Sequence, residues 1–252
     1  MKLEDFEKSF KLGKLPARQD SVLFKLSLYQ TPIPVPKSVM RQNLVTDWQG
    51  FLGNDKVGCC VIAGAAHESI LWNTESKKTV LYTPENVISD YSAITGYNPK
   101  DPSTDKGTDM QLAASYRRKT GIIDKNGIRH RILAYLSVKP VKQEIQESIY
   151  LFSGTGIGLI FPQSAMDQFS ANKPWTVVNG SKIVGGHYVA CVGFDSNYVY
   201  CITWGRVQKM SWGFVLKYSD EIITYLSTEM LKDGKSIDGF NLVQLQDSLS
   251  KL

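Results

Sequence analysis

The sequence has little that would carry it to or through a membrane. Its opening, MKLEDFEKSFKLGKLPARQD, contains no apolar core of signal-peptide length, and no apolar run approaches the ~20 residues of a spanning helix. A cytoplasmic chain with no membrane partner is therefore expected. Cysteine is scarce: Cys59, Cys60, Cys191 and Cys201 are the four in 252 residues. An adjacent pair such as Cys59-Cys60 is a poor start for a disulfide framework. CxxC and HExxH are both missing, so neither a metal nor another cofactor is expected. Cys191 and Cys201 flank a turn and can face each other across a hairpin; in a reducing compartment they read as free core thiols. Long charge runs are missing too. The net charge is +5, but the basic residues are scattered. The densest patch, Arg117-Arg118-Lys119, reads as a solvated helix face, with phosphate contact the minor alternative, so no nucleic-acid partner is expected. Internal repeats and low-complexity tracts do not occur.

What is present is an ordinary globular mixture, 42% hydrophobic and 21% charged, long enough to bury a core without staples. Residues 1–34 are mixed, and Thr31-Pro32-Ile33-Pro34-Val35-Pro36 must be extended, because each proline disfavours helix for itself and its predecessor. Residues 45–59 are loop-like, punctuated by Gly50, Gly53 and Gly58. From Cys60 to about Asn73 the apolar spacing predicts a buried helix, with small residues at 63–66 for close packing. Further helices are expected over 84–95, over 108–120 with Thr108 or Asp109 as cap, and over 140–152. Ile157 to Phe161 reads as a strand. Residues 188–194 and 198–204 read as a hairpin about Asp195-Ser196-Asn197. An amphipathic helix is expected over about 219–232. Helices first and strands after argue for an α+β fold of two unlike lobes.

One constellation carries chemistry. A cysteine nucleophile needs its thiolate, and a helix N-terminus stabilises negative charge. Cys60 sits where the glycine-rich loop becomes the helix. It also needs a base. His67 lies seven residues along the same helix, about 10 Å away and too far for a direct hydrogen bond. His130 stands among charged neighbours and reads as a surface or hinge residue. His187 follows Gly185-Gly186 and opens an apolar strand, which suits a histidine facing a cleft.

These residues resemble the papain-like cysteine peptidases. Asn54-Asp55-Lys56-Val57-Gly58-Cys59-Cys60-Val61 looks like that family's active-site segment. Gly186-His187-Tyr188-Val189-Ala190-Cys191-Val192-Gly193-Phe194 looks like its histidine strand, and Ile202-Thr203-Trp204-Gly205 like its Asn-Ser-Trp-Gly segment. His187 and Thr203 follow Cys60 by 127 and 143 residues, close to the ~130–150 seen in papain itself. The resemblance covers about residues 35–220. It implies a papain-like two-lobe fold, with a helical lobe over about 45–135 and an antiparallel strand-rich lobe over about 136–220.

It also implies roles. Cys60 would attack an acyl carbonyl, His187 would move the proton, and Thr203 would orient His187. Asn54 would donate to the oxyanion, Trp204 would cover the His187–Thr203 contact, and Gly58, Gly186 and Trp204 would border the substrate. Peptide or protein substrates would be hydrolysed at amide bonds without a cofactor. Two positions depart from the family: Asn54 replaces a glutamine, and Thr203, or Ile202, replaces an asparagine. Cys59 adds a second thiol and reads as a bystander. The alternative function is a disabled papain-like scaffold serving a larger assembly. Residues 1–34 read as an arm docked on the domain, or as a short propeptide-like segment.

Overall fold

Capping residues set the start of two of the three helices in the first half of the chain. The computed structural model describes residues 10–18, 23–229 and 240–250. A short strand, β1 (Val39–Met40), precedes the glycine-punctuated loop, which ends at helix α1 (Cys60–Glu75). Helix α2 (Pro84–Thr95) opens on a capping box made by Thr83 and Asn86 and closes on Gly96 at φ 77°. Helix α3 (Met110–Lys119) is capped by Asp109, whose side chain accepts from the Leu112 amide at 2.7 Å. Strands β2 (Ile122–Ile123) and β3 (Arg129–His130) make a small ribbon, and β4 (Ile132–Ser137) follows. Helix α4 (Lys142–Phe152), strand β5 (Thr155–Pro162) and helix α5 (Gln163–Ser170) lead to the long strand β6 (Ile183–Phe194). Then come β7 (Tyr198–Thr203), β8 (Arg206–Ser211), helix α6 (Trp212–Tyr218), β9 (Ser219–Ser227) and helix α7 (Leu242–Ser250).

The main sheet has seven strands in the order β4-β9-β5-β6-β7-β8, with β1 added against β6. All pairings in it are antiparallel. One hydrophobic cluster lies under the sheet and α4 to α7; a second surrounds α1, α2 and α3. This is the expected α+β layout of a helical part and a strand-rich part. None of the described helices is long and apolar enough to cross a membrane.

Helix α1 is buried from Cys60 to Asn73, so it runs through the interior instead of along the surface. It lies against β6 at Gly64: a Cβ there would come within 2.4 Å of the Tyr188 ring. The buried Glu68 of α1 accepts from Tyr188 Oη at 2.5 Å and forms an ion pair with Arg117 of α3 at 2.7 Å. Arg117 also sits over the Tyr225 ring of β9, 4.0 Å from its centroid. Burial pushes the Glu68 carboxyl up, and Arg117 pulls it back.

Three expectations need correcting. Arg117 is not on a solvated face: it is only 2% exposed, because the buried Glu68 carboxylate demands a partner. Residues 219–227 form strand β9, not a helix. Ile222 to Leu226 are β-branched, aromatic and aliphatic residues buried between β4 and β5, and their run suits a strand covered on both faces. The rest of that expected helix reaches 232, where residues 230–232 lie outside the described residues. Helices α5, α6 and α7 were not foreseen; each is short, with eight, seven and nine residues.

Removing Arg117 alone should leave Glu68 as an unpaired buried charge. Arg117→Ala is expected to lower the unfolding free energy by about 3–5 kcal/mol, measured by urea denaturation. The pair Glu68→Leu with Arg117→Met should recover most of that loss. A cost for Arg117→Ala below about 1 kcal/mol, the range of surface pairs, would contradict this reading of the interior.

Candidate active site

Cys60 is the first residue of α1, with its side chain at the helix end where amide N–H groups are unpaired. His187 lies within β6, opposite Leu159 of β5. It was expected to open the strand. The strand in fact begins at Ile183, because residues 183–186 continue the ladder with β5. Thr203 ends β7, and it is Thr203, not Ile202, that meets the histidine: His187 Nε2 and Thr203 Oγ1 are 2.7 Å apart.

The turn after Thr203 makes the next contact. Thr203 pairs with Arg206, so Trp204 and Gly205 form a two-residue hairpin turn, with φ 44° and 76°. Positive φ at both positions matches the right-handed strand twist, but it suits glycine and asparagine, not tryptophan. The strained backbone holds the indole flat on His187, with ring centroids 4.2 Å apart and planes 18° off parallel. Phe161 meets the imidazole edge-on at 5.3 Å. His187 is fully buried, and its Nδ1 has no hydrogen-bond partner.

The chain's own residues 10–17 run between the loop that leads into Cys60 and the strand that carries His187. The Lys11 amide donates to Asn54 O at 3.1 Å, and the Lys11 carbonyl accepts from Asn54 Nδ2 at 3.2 Å and Trp204 Nε1 at 3.3 Å. The Gly13 and Lys14 amides both donate to Gly186 O, at 3.1 and 3.0 Å. On the opposite wall, Thr108 N donates to Gly13 O and Leu15 N donates to Thr108 O, a parallel bridge. Phe10 anchors the start of the segment against Trp204 and Phe169, each at 5.0 Å. Gly13 has to be glycine: a Cβ there would lie 1.9 Å from the Gly58 carbonyl oxygen.

The segment thus touches Asn54, Gly58, Cys60, Gly186 and Trp204. Asn54 is buried with both of its Nδ2 protons in use, one on Lys11 O and one on Val57 O at 2.9 Å. It was expected to donate to an oxyanion; in this arrangement it serves the segment. Burial pushes the Cys60 thiol from 9.0 up to about 11, while the amides of Tyr188, Gly13 and Val61 pull the other way. Burial alone pulls the His187 imidazole from 6.5 down to about 3. With the segment docked, the pair is a thiol and a neutral imidazole with no hydrogen bond between them.

The other expected bystanders lie elsewhere. His67 Nε2 bonds to Gly50 O at 3.2 Å inside the helical core, and burial brings it down to about 4. His130 sits between Asp124 at 3.1 Å and Glu229 at 3.5 Å. Cys59 is buried under Leu52, and Cys191 faces Cys201 across the β6–β7 ladder with both thiols free. The sequence left residues 1–34 as a docked arm or a propeptide-like segment, without naming what they touch; the contacts of residues 10–17 depend on Gly13 set between Lys11 and Lys14, too slight a mark to read without a fold to thread them through.

A histidine held neutral in the folded chain takes up its proton only on unfolding. The folded state is therefore expected to lose stability as pH falls from 6.5 toward 3. The melting temperature should drop over that window, and His187→Gln should lower the slope, with His67 and carboxyls held below their usual range, such as Asp195 and Glu229, contributing what remains. An unchanged slope in His187→Gln would contradict a buried neutral imidazole at this position.

No protein-family model matches the chain, and no curated protein matches its sequence. Solved structures do match in fold. Xylellain, a cysteine protease from Xylella fastidiosa, is 14% identical with a TM-score of 0.66, over 87% of this chain and 97% of that one. Procathepsin B from Trypanosoma congolense is 10% identical with a TM-score of 0.67, over 90% and 89%. A ragweed pollen allergen, a cysteine protease in its proform, is 15% identical with a TM-score of 0.59, over 90% and 77%. The chain therefore has the papain-like cysteine protease fold, in a divergent form.

Proposed function

We propose that this chain is a cysteine-dependent hydrolase of peptide or amide bonds, held latent by its own residues 10–17. The observation that carries the reading is the state of His187. Its Nε2 is fixed on Thr203, its face is covered by Trp204, and its Nδ1 is buried without a partner on the strand next to Cys60. A buried nitrogen with no partner is costly and calls for an explanation, and proton transfer is the one that its place between Thr203, Trp204 and the strand next to Cys60 supports.

With Nε2–H donating to Thr203, the lone pair sits on Nδ1. Once the segment leaves, Nδ1 takes the Cys60 proton and the thiolate attacks the substrate carbonyl. The oxyanion accepts from the Cys60 amide and from the Asn54 Nδ2 proton that Lys11 O occupies now. The tetrahedral intermediate collapses, the C–N bond breaks, and the amine leaves with the proton from Nδ1. The product is a thioester on Cys60. Water attacks that carbonyl as Nδ1 takes its proton, and the acid departs as the proton returns to sulfur. Trp204 keeps water off the Thr203–His187 bond. The ragweed neighbour is a cysteine protease in its proform, which supports reading this chain as latent.

Gly13→Val removes the glycine that lets the segment dock, so it opens the groove without touching the catalytic groups. On a mixture of peptides it should hydrolyse amide bonds at least about tenfold faster than the unaltered chain, an estimate of relief from latency. Cys60→Ala or His187→Ala in that background should remove ~10²-fold or more, and Thr203→Asn should be milder than Thr203→Ala. Alkylation by iodoacetamide should select Cys60 over Cys191 and Cys201 once the groove is open. A Gly13→Val chain with no hydrolysis, and a Cys60 no more reactive than the core thiols, would overturn the proposal in favour of an inert scaffold.

A further inference from the structure

Lys14 turns away from the strand and buries its whole side chain. Its ammonium is fully enclosed and forms an ion pair with Asp220 Oδ2. Lysine is almost never buried this completely without a site built for it. The slot beside Cys60 and His187 is made by three features. Gly158 of β5 leaves the space: a Cβ there would lie 2.4 Å from Lys14 Cε and 2.9 Å from Asp220 Oδ1. Met110, first residue of α3, gives a wall, with its sulfur 2.7 Å from the same point. Asp220 forms the floor. The β5–β9 ladder pairs Gly158 with Glu221 and then Leu159 with Ser219, so Asp220 is an extra, bulged residue. A bulge re-aims a side chain, and this one turns a carboxylate into the slot.

The carboxylate is only half used. Asp220 Oδ2 takes the Lys14 ammonium and, at 3.3 Å, the Ala17 amide. Asp220 Oδ1 is buried with no hydrogen-bond partner. Glu221, next in sequence, is held by Gln111 Nε2 at 2.6 Å and adds negative charge to the same wall. When residues 10–17 leave, this slot loses its cation and keeps its carboxylate. A planar guanidinium can engage both oxygens at once, which an ammonium cannot.

We infer that the slot now filled by Lys14 is the specificity pocket of the open enzyme, and that it takes the side chain of a basic residue, arginine ahead of lysine, in the substrate peptide. Lys14 occupies it as a built-in mimic. The inference rests on the hydrolase reading given above, but the pocket binds or fails to bind basic side chains whether or not the chain cuts.

The test uses the full chain carrying Gly13→Val and a mixture of peptides in which one position at a time is arginine, lysine, norleucine, phenylalanine or glutamate. Cleavage should concentrate at bonds with arginine or lysine at one fixed place within about two residues of the cut. The preference over norleucine should be ~10-fold or more, in the range set by a charged group that finds or lacks its partner. Asp220→Asn in the same background should erase that preference and still cut the norleucine peptides, while Asp220→Glu should keep it. Cleavage without a basic preference, or a preference untouched by Asp220→Asn, overturns the inference and leaves the hydrolase intact. If no peptide is cut, the hydrolase reading has failed. Calorimetry then decides the pocket: arginine peptides that bind Gly13→Val tighter than norleucine peptides, in an Asp220-dependent way, support it, and equal binding ends it.

Discussion

The contact between helix α1 and strand β6 fixes everything else in this site. Gly64 lets the helix approach until the Tyr188 ring fills the place of its missing Cβ. Glu68, one turn further on, ties the Tyr188 hydroxyl to Arg117 in the interior. Cys60 and His187 are each only a few residues from that contact, one at the helix start and the other next to Tyr188. Both positions are therefore set by core packing. Buried polar groups of this kind cost stability when a partner is missing, so the Glu68–Arg117 pair also makes the packing specific.

The groove that residues 10–17 occupy creates a liability. An open cleft exposes carbonyls and amides of Asn54, Thr108 and Gly186 that need partners. Residues 10–17 supply them as an added strand-like segment, with main-chain bonds giving the hold and Phe10 and Lys14 filling pockets at the two ends. Burial raises the Cys60 thiol and lowers the His187 imidazole, while the segment's own Gly13 amide and Lys14 charge pull Cys60 back down. Latency in this account is occupation of the groove.

Much of this was legible beforehand. The helix at Cys60, the hairpin after His187 and the order of helices before strands follow from apolar period, glycine punctuation and β-branched runs. The pairing of His187 with Thr203 followed from the resemblance. What stayed hidden has a common cause: it depends on distant segments meeting. Arg117 reads as solvated until Glu68 is placed beneath it. Ile222 to Leu226 read as helix because a strand covered on both faces has no alternation to reveal it. Asp220 reads as an ordinary acid until a bulge turns it toward Gly158, and Lys14 as an ordinary base until residues 10–17 thread the groove.

The claim at the centre is that Cys60 becomes a covalent nucleophile once the groove is open. Acid-quenched mass spectrometry of Gly13→Val, taken during the first turnover of a peptide, tests it most directly. The account requires an acyl mass on the fragment that carries Cys60, rising and then decaying as water releases it, and missing in His187→Ala. A chain that consumes peptide with no such adduct, or with the adduct on Cys191 or Cys201, would contradict it.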